Sequence, residues 1–221
     1  MASDVDAWTS INLAATLDLD GDKGEIISLN TFNSEVFAFQ KNGISNILFN
    51  SRVQIPTSNG APIEITNSYK LDGKRYISDA IGCDNKWSIT EAPSGIYFID
   101  SRGNAFYHFD GKLTDMSSKA GFHTWVKQNI GKSPWYPNVH GNFRTFYDHV
   151  YNDVYITTAD TALCFSEKLG TFTSFMSYGH LNAMFNVANQ CYSIPGVSEN
   201  ESTSNVWQNY SGDYNSFYGT I

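Results

Sequence analysis

Cysteine and charge are both scarce in this 221-residue chain. Its three cysteines, Cys83, Cys164 and Cys191, are an odd number with no CxxC spacing, so a disulfide framework is not what holds it together and a reducing compartment fits. Cys164 falls inside an apolar, strand-like run and reads as core. Charged residues make up only 16%, with 14 Lys and Arg against 22 Asp and Glu, a net charge of −8. No run of Lys or Arg forms a local exception, which excludes general affinity for a phosphate backbone and specific nucleic-acid binding with it. No stretch approaches the roughly 20 apolar residues of a membrane span. The opening "MASDVDAWTS" is acidic where a signal peptide would be apolar, so the sequence predicts a soluble protein made in a cytoplasm.

Signatures of chemistry are missing as well. There is no G-x-S-x-G elbow, Walker loop or dinucleotide fingerprint, and no S-x-D-x-G-x-[ST]-W box of sialidase-like propellers. The five histidines, His108, His123, His140, His149 and His180, show no HxxxH or other compact ligand spacing. Asp18, Asp20 and Asp22 alternate as in a calcium loop, but the sixth and twelfth positions counted from Asp18 hold Lys23 and Leu29, where an EF-hand needs Gly and Glu. That loop reads as a solvated turn. Asp148, His149 and Asp153 read as turn formers. No metal, no cofactor and no enzymatic activity are expected.

What the chain has in abundance is aromatic side chains, 15% of its residues, and they recur. The runs "EVFAFQKNGISNILF", "GIYFIDSRGNAFYHFDG" and "DVYITTADTALCFSEKLG" begin at Glu35, Gly95 and Asp153, 60 and then 58 residues apart. Each opens with a small or acidic residue followed by a β-branched residue and an aromatic: Val36-Phe37, Ile96-Tyr97, Val154-Tyr155. Such pairs favour strands. A polar turn and a second aromatic-rich run complete an antiparallel hairpin. Stretches such as Ile96 to Ile99 are apolar throughout, which predicts burial on both faces.

Further short strands flank each hairpin. One group runs from Glu25 to "APIEI" at Ala61 to Ile65. A second leads from "KRYISDAIGCDNKWSIT" into the hairpin at Gly95, and a third runs from Phe143 through "TFTSFMSY", "NAMFNV" and "QCYSI". Four or more short strands per period is the pattern of propeller blades. The fold predicted is all-β, with β-propeller-like repeats of short antiparallel strands and one inserted helix. That helix is predicted near 118–130, where Phe122, Trp125, Val126 and Ile130 share one face. Ser117 or Ser118 would cap its start and Gly131 its end.

The expected organisation is an N-terminal segment over 1–24, about three blades over 25–195, and a polar, aromatic segment over 196–221 leading into a further domain. A propeller closes with at least four blades, so the chain reads as part of a larger polypeptide.

The runs from Ile81 to Asn129 and from Phe146 to Tyr178, together with "NYSGDYNSFYG" near the end, resemble the propeller region of the muzzle, or stabilisation, proteins of crAss-like bacteriophage tails. That resemblance implies a virion structural protein at the distal end of a short tail, assembled as a ring around the DNA exit channel, with no catalytic residues to carry over. Its partners would be further copies and neighbouring tail or portal-proximal proteins. Trp125, Trp135, Tyr136, Trp207 and Tyr214 are the candidate partner contacts, since buried aromatics dominate interfaces. Two other readings are a glycan-binding propeller that recognises a host receptor through exposed Trp and Tyr, and a propeller glycoside hydrolase.

Overall fold

A computed structural model describes residues 16–49, 52–55, 63–66, 71–118, 121–129, 143–158, 161–176, 181–195 and 205–213. The described residues are mostly β, with one short α-helix, as the sequence predicts. The chain divides into two compact units, residues 1–82 and 83–221.

In the first unit, β1 (Ile26–Phe32), β2 (Glu35–Gln40) and β3 (Gly43–Phe49) form an antiparallel meander. The hairpin of β4 (Arg52–Ile55) and β5 (Ile63–Thr66) follows, and β6 (Leu71–Ser78) then pairs with β3 to complete four strands in the order β1-β2-β3-β6. The turn from β1 to β2 has two residues, Asn33 and Ser34, with φ of 50° and 64°. Positive φ at both positions is the type I′ geometry whose twist matches the flanking strands. Phe37, Ala38, Phe39 and Ile44 are buried along β2 and β3.

The second unit repeats the meander. β7 (Ile89–Ala92), β8 (Gly95–Asp100), β9 (Ala105–Phe109) and β10 (Leu113–Asp115) make one four-stranded sheet. The helix α1 (Phe122–Asn129) follows it. β11 (Arg144–Asp148), β12 (Asp153–Thr157), β13 (Ala162–Ser166) and β14 (Thr171–Met176) make the next. β15 (Leu181–Val187), β16 (Gln190–Pro195) and β17 (Trp207–Gln208) form a separate three-stranded sheet. The residues around "NAMFNV" and "QCYSI" therefore do not extend the third group, as their sequence proximity suggested. Another type I′ turn, with Ala188 and Asn189 at φ 47° and 62°, joins β15 to β16, and the two pair in a sheet separate from β14.

The sequence repeat is a structural one. Val36, Ile96 and Val154 are each the second residue of the second strand of a four-stranded sheet, flanked by Thr31 and Ile47, by Glu91 and Phe109, and by Tyr147 and Phe165. The aromatics that follow them, Phe37, Tyr97 and Tyr155, are all buried. β8 is buried along its whole length, because both of its faces are covered.

Between the sheets of β7–β10 and β11–β14 lies one aromatic core. β8 and β9 supply Tyr97, Ile99 and Phe106, and β12 and β13 supply Val154, Ile156, Leu163 and Phe165, joined by Met116, Phe122 and Phe143. The third and fifth residues of β8 thus meet the second and fourth of β12. Because strand side chains alternate between faces, equivalent strands present opposite faces to this core. The two sheets are stacked in the same sense, not as mirror partners. β11 also runs alongside both β7 and β15.

The helix is where predicted but starts later. Ser117 and Ser118 do not cap it: Ser117 donates to Asp115 and accepts from the Phe106 amide at 3.2 Å, while Ser118 Oγ donates to the Asp115 carbonyl. The competing acceptor, Asp115, lies two residues before Ser117, so local polar bonding wins over capping. The first turn closes instead on Gly121, whose carbonyl accepts from the Thr124 and Trp125 amides and whose φ is 71°. Phe122 buries this helix by stacking on Phe172 at 4.8 Å. Gly131, the predicted end cap, lies outside the described residues.

Candidate functional site

Of the five predicted contact residues, two are described. Trp125 is half-buried on α1, 5.5 Å from Phe122, 6.1 Å from Phe143 and 6.4 Å from Phe175, measured between ring centroids. It caps the aromatic core and meets Phe175, which is 70% exposed. Trp207 lies in β17 opposite Ser193. The structure thus places the two on different elements. Trp135, Tyr136 and Tyr214 lie outside the described residues.

The acidic loop is spoken for by lysine. Lys74 Nζ donates to Asp20 Oδ1 at 2.5 Å and to the Asp18 carbonyl at 2.7 Å, and Lys23 pairs with Asp22 and Asp79. Gln40 Nε2 holds the loop's backbone through the Asp20 and Gly24 carbonyls. Where a calcium loop would converge oxygens on a metal, ammonium groups bind them. The Asp20 contact raises the Lys74 pKa. No group of three or more His, Cys, Asp or Glu is arranged to hold a metal among the described residues.

The densest polar cluster sits at the edge of the aromatic core. Glu167, in the turn between β13 and β14, accepts from Ser94 and, at 3.0 Å, from the Tyr97 hydroxyl. The Tyr147 hydroxyl donates instead to Asn152 Oδ1 at 2.8 Å. Ser94 Oγ lies 3.2 Å from His108 Nε2, and the His108 and Tyr97 rings are 4.4 Å apart. Serine, histidine and a carboxylate within reach of one another invite comparison with a catalytic triad. The wiring differs: in a triad the histidine stands between serine and acid, whereas here the acid bonds the serine directly. With its one proton given to Glu167, Ser94 can only accept from His108, so the imidazole is not its general base. Burial pushes the Tyr147 phenol up to about 12 and that of Tyr97 higher still. The cluster is a set of hydroxyls bound to a carboxylate that ties one sheet to the next.

A second such tie uses Asp148, fully buried at the end of β11. It accepts from the Val150 amide at 2.8 Å and from the Tyr210 hydroxyl, and Tyr210 lies 3.2 Å from the Tyr155 hydroxyl. Burial is the largest cause of the raised Tyr210 pKa, with the bond to Asp148 next. Tyr151 meets the Tyr210 ring edge-on at 4.6 Å. Two further histidines are described. His123 bonds the Asn104 carbonyl and approaches Asp115 at 3.6 Å, and His149 lies in the turn after β11. His140 and His180 lie outside the described residues. Cys83, Cys164 and Cys191 are free and buried, and burial pushes their thiols up to about 12, 11 and 11. Thiols in that range carry little thiolate at neutral pH.

Both carboxylate ties escaped sequence reading, because their members are up to 73 residues apart and share no local spacing. The only signal was the tyrosine of the repeat.

The family model of the crassvirus muzzle protein matches residues 2–196. The chain is also 54% identical over 219 residues to the muzzle protein of Bacteroides phage crAss001, an alignment that covers 99% of this chain. The chain spans about 16% of that relative's length. By its match over nearly the whole sequence, and in keeping with the aromatic repeat, the chain belongs to the crassvirus muzzle protein family.

Proposed function

We propose that this chain is part of a structural protein of a bacteriophage virion, and that its four-stranded meanders are successive blades of a β-propeller. Family membership carries the virion role. The same-sense stacking of the β7–β10 and β11–β14 sheets, with β11 running between β7 and β15, supports the blade reading. Blades set around an axis meet in this way, front face to back face with first strands adjacent, whereas a sandwich of two mirrored sheets would bring equivalent faces together.

On this reading the propeller is a rigid scaffold in the tail, part of a ring of copies around the DNA exit channel. Its partners are those copies and neighbouring tail proteins, with Trp125, Trp135, Tyr136, Trp207 and Tyr214 as contacts. On this reading the role is not enzymatic, in keeping with the serine-histidine-carboxylate cluster at Glu167, which is wired as a clamp. Electron cryomicroscopy of whole virions tests the proposal. The expected result is density for these blades, repeated by rotational symmetry, at the tail. Placement in the capsid, or absence of the polypeptide from mass-spectrometric digests of purified virions, would overturn it.

A further inference from the structure

One aromatic position is buried in each four-stranded meander and open in the last sheet. The third residue of the second strand is Phe37, Tyr97 or Tyr155 in the meanders and Tyr192 in β16. The first three are 2%, 3% and 3% exposed, whereas Tyr192 is half-buried. Tyr192 pairs with Phe185 of β15 and with Gln208 of β17, so these side chains share one face of the sheet. Its ring stacks on Phe185 at 5.7 Å. On that face Phe185 is 38% and Val187 53% exposed. The opposite face is engaged: Cys191 and Ser193 are buried, and Asn186 donates to the Tyr147 carbonyl at 2.7 Å.

The hydroxyls follow the same division. Tyr97 and Tyr155 carry theirs to Glu167 and Tyr210, each in the turn after the third strand of the following sheet. Tyr192 has the same place in its strand, but its hydroxyl donates to Gln190 Oε1, two residues back, at 2.8 Å. A stacked repeat buries such a face against its next neighbour.

A second copy of this chain cannot be that neighbour. Same-sense stacking sets the fourth residue of a second strand against the preceding sheet, as Ile156 does in the aromatic core. The residues at that place, Ala38, Phe98, Ile156 and Ser193, are at most 1% exposed, so no sheet of a copy has this face to offer. Further chain exists in the family, since these 221 residues span about 16% of the length of the 54% identical relative.

We infer that Phe185, Val187 and Tyr192 form the docking face for a further antiparallel meander of the same, longer polypeptide. Its second strand lies on the Phe185 ring, and the turn after its third strand presents a carboxylate or tyrosine oxygen to the Tyr192 hydroxyl. The inference rests on the blade reading.

Photocross-linking in assembled virions tests it, with p-benzoylphenylalanine replacing Phe185 in the full-length polypeptide. Mass spectrometry identifies the joined residues, and a denaturing gel separates products within one polypeptide from joined copies. The expected product lies within one polypeptide and joins position 185 to residues outside these 221. Should that variant not assemble, the same photoreactive residue at Val187, in the turn beside it, decides. A cross-link to another copy, to a different virion protein or to residues 196–221, or no cross-link from either position, would overturn the inference. Microscopy of whole virions tests the blade reading separately: blades present in the map, with Phe185 joined elsewhere, would overturn this inference alone.

Discussion

Tyr97 and Tyr155 stand at the same position of successive sheets, and each carries its hydroxyl to the turn that follows the third strand of the sheet after its own. Tyr97 reaches Glu167 at 3.0 Å, just past β13, and Tyr155 reaches Tyr210 at 3.2 Å, just past β17. A carboxylate completes each tie: Glu167 itself in the first, Asp148 behind Tyr210 in the second. The sequence repeat thus recurs as a repeated inter-sheet bond. In the first repeat the position is Phe37, which has no hydroxyl to extend.

The two ties should differ in what they contribute. Glu167 is bound by Ser94 as well as Tyr97, so Tyr97→Phe leaves it with a partner and should cost about 0.5–1.5 kcal/mol. Asp148 is fully buried, and besides Tyr210 only the Val150 amide is on it among the bonds described. Tyr210→Phe strips a charge-assisted bond from a carboxylate that water cannot reach, and should cost about 1.5–3 kcal/mol. Urea midpoints of the two variants measure the difference. Equal costs, or the reverse order, would contradict this account.

Alkali should loosen the fold earlier than the ordinary titration of tyrosine alone would. The three thiols are pushed from 9.0 up to about 12, 11 and 11, and Tyr147 from 10.0 up to about 12, in each case chiefly by burial. Each group holds its proton more tightly folded than unfolded. Its contribution is therefore complete below the unfolded pKa and is lost as pH rises through the folded one. Thermal midpoints should be flat from pH 7 to about 8.5 and fall steadily between about 9 and 12. Replacing Cys83, the most buried thiol, with Ala should flatten the first part of that fall. A midpoint unchanged up to pH 11 would refute the assignment.

The aromatic core predicts a strong contrast between neighbouring phenylalanines. Phe122 and Phe165 are 2% exposed and Phe175 is 70% exposed, although Trp125 links Phe122 to Phe175 in one chain of rings. Phe122→Ala and Phe165→Ala should each cost about 3–5 kcal/mol. Phe175→Ala should stay within about 0.5 kcal/mol. Chemical denaturation of the three variants is a direct comparison, and a Phe175→Ala loss as large as the others would mean that the exposed ring carries packing the structure does not show.

Much of this fold was legible because it is written in local pattern. Val36, Ile96 and Val154 could be aligned by eye, since a β-branched residue followed by an aromatic marks the second strand of every meander. The helix was legible through the spacing of Phe122 and Trp125. Its start was not, because Ser117 had two possible partners and the sequence could not say that Asp115 would win. The break between the third and fourth sheets was hidden because a list of strands does not say which neighbour each one pairs with, and β15 pairs with β16 and not with β14. The ties through Glu167 and Asp148 had no local signature at all. They form only when stacking has brought distant turns together, so they belong to the tertiary level alone.

Gly82 marks a place where even one methyl group does not fit. A Cβ there would stand 2.3 Å from the Gln40 carbonyl oxygen and 2.5 Å from that of Lys41, and both are backbone atoms of the turn from β2 to β3, which cannot swing aside as a flexible side chain could. Gln40 is buried and also carries the acidic loop, through bonds from its amide to Asp20 and Gly24 and a bond accepted from Tyr76. Displacing this turn therefore disturbs the loop and β6 together. Gly82→Ala should cost about 1–3 kcal/mol, as overpacking does. Gly21→Ala, whose new methyl would meet nothing within 4 Å, should be close to neutral. Thermal midpoints of the two variants decide the matter, and a Gly82→Ala protein as stable as Gly21→Ala would show that the turn gives way without loss.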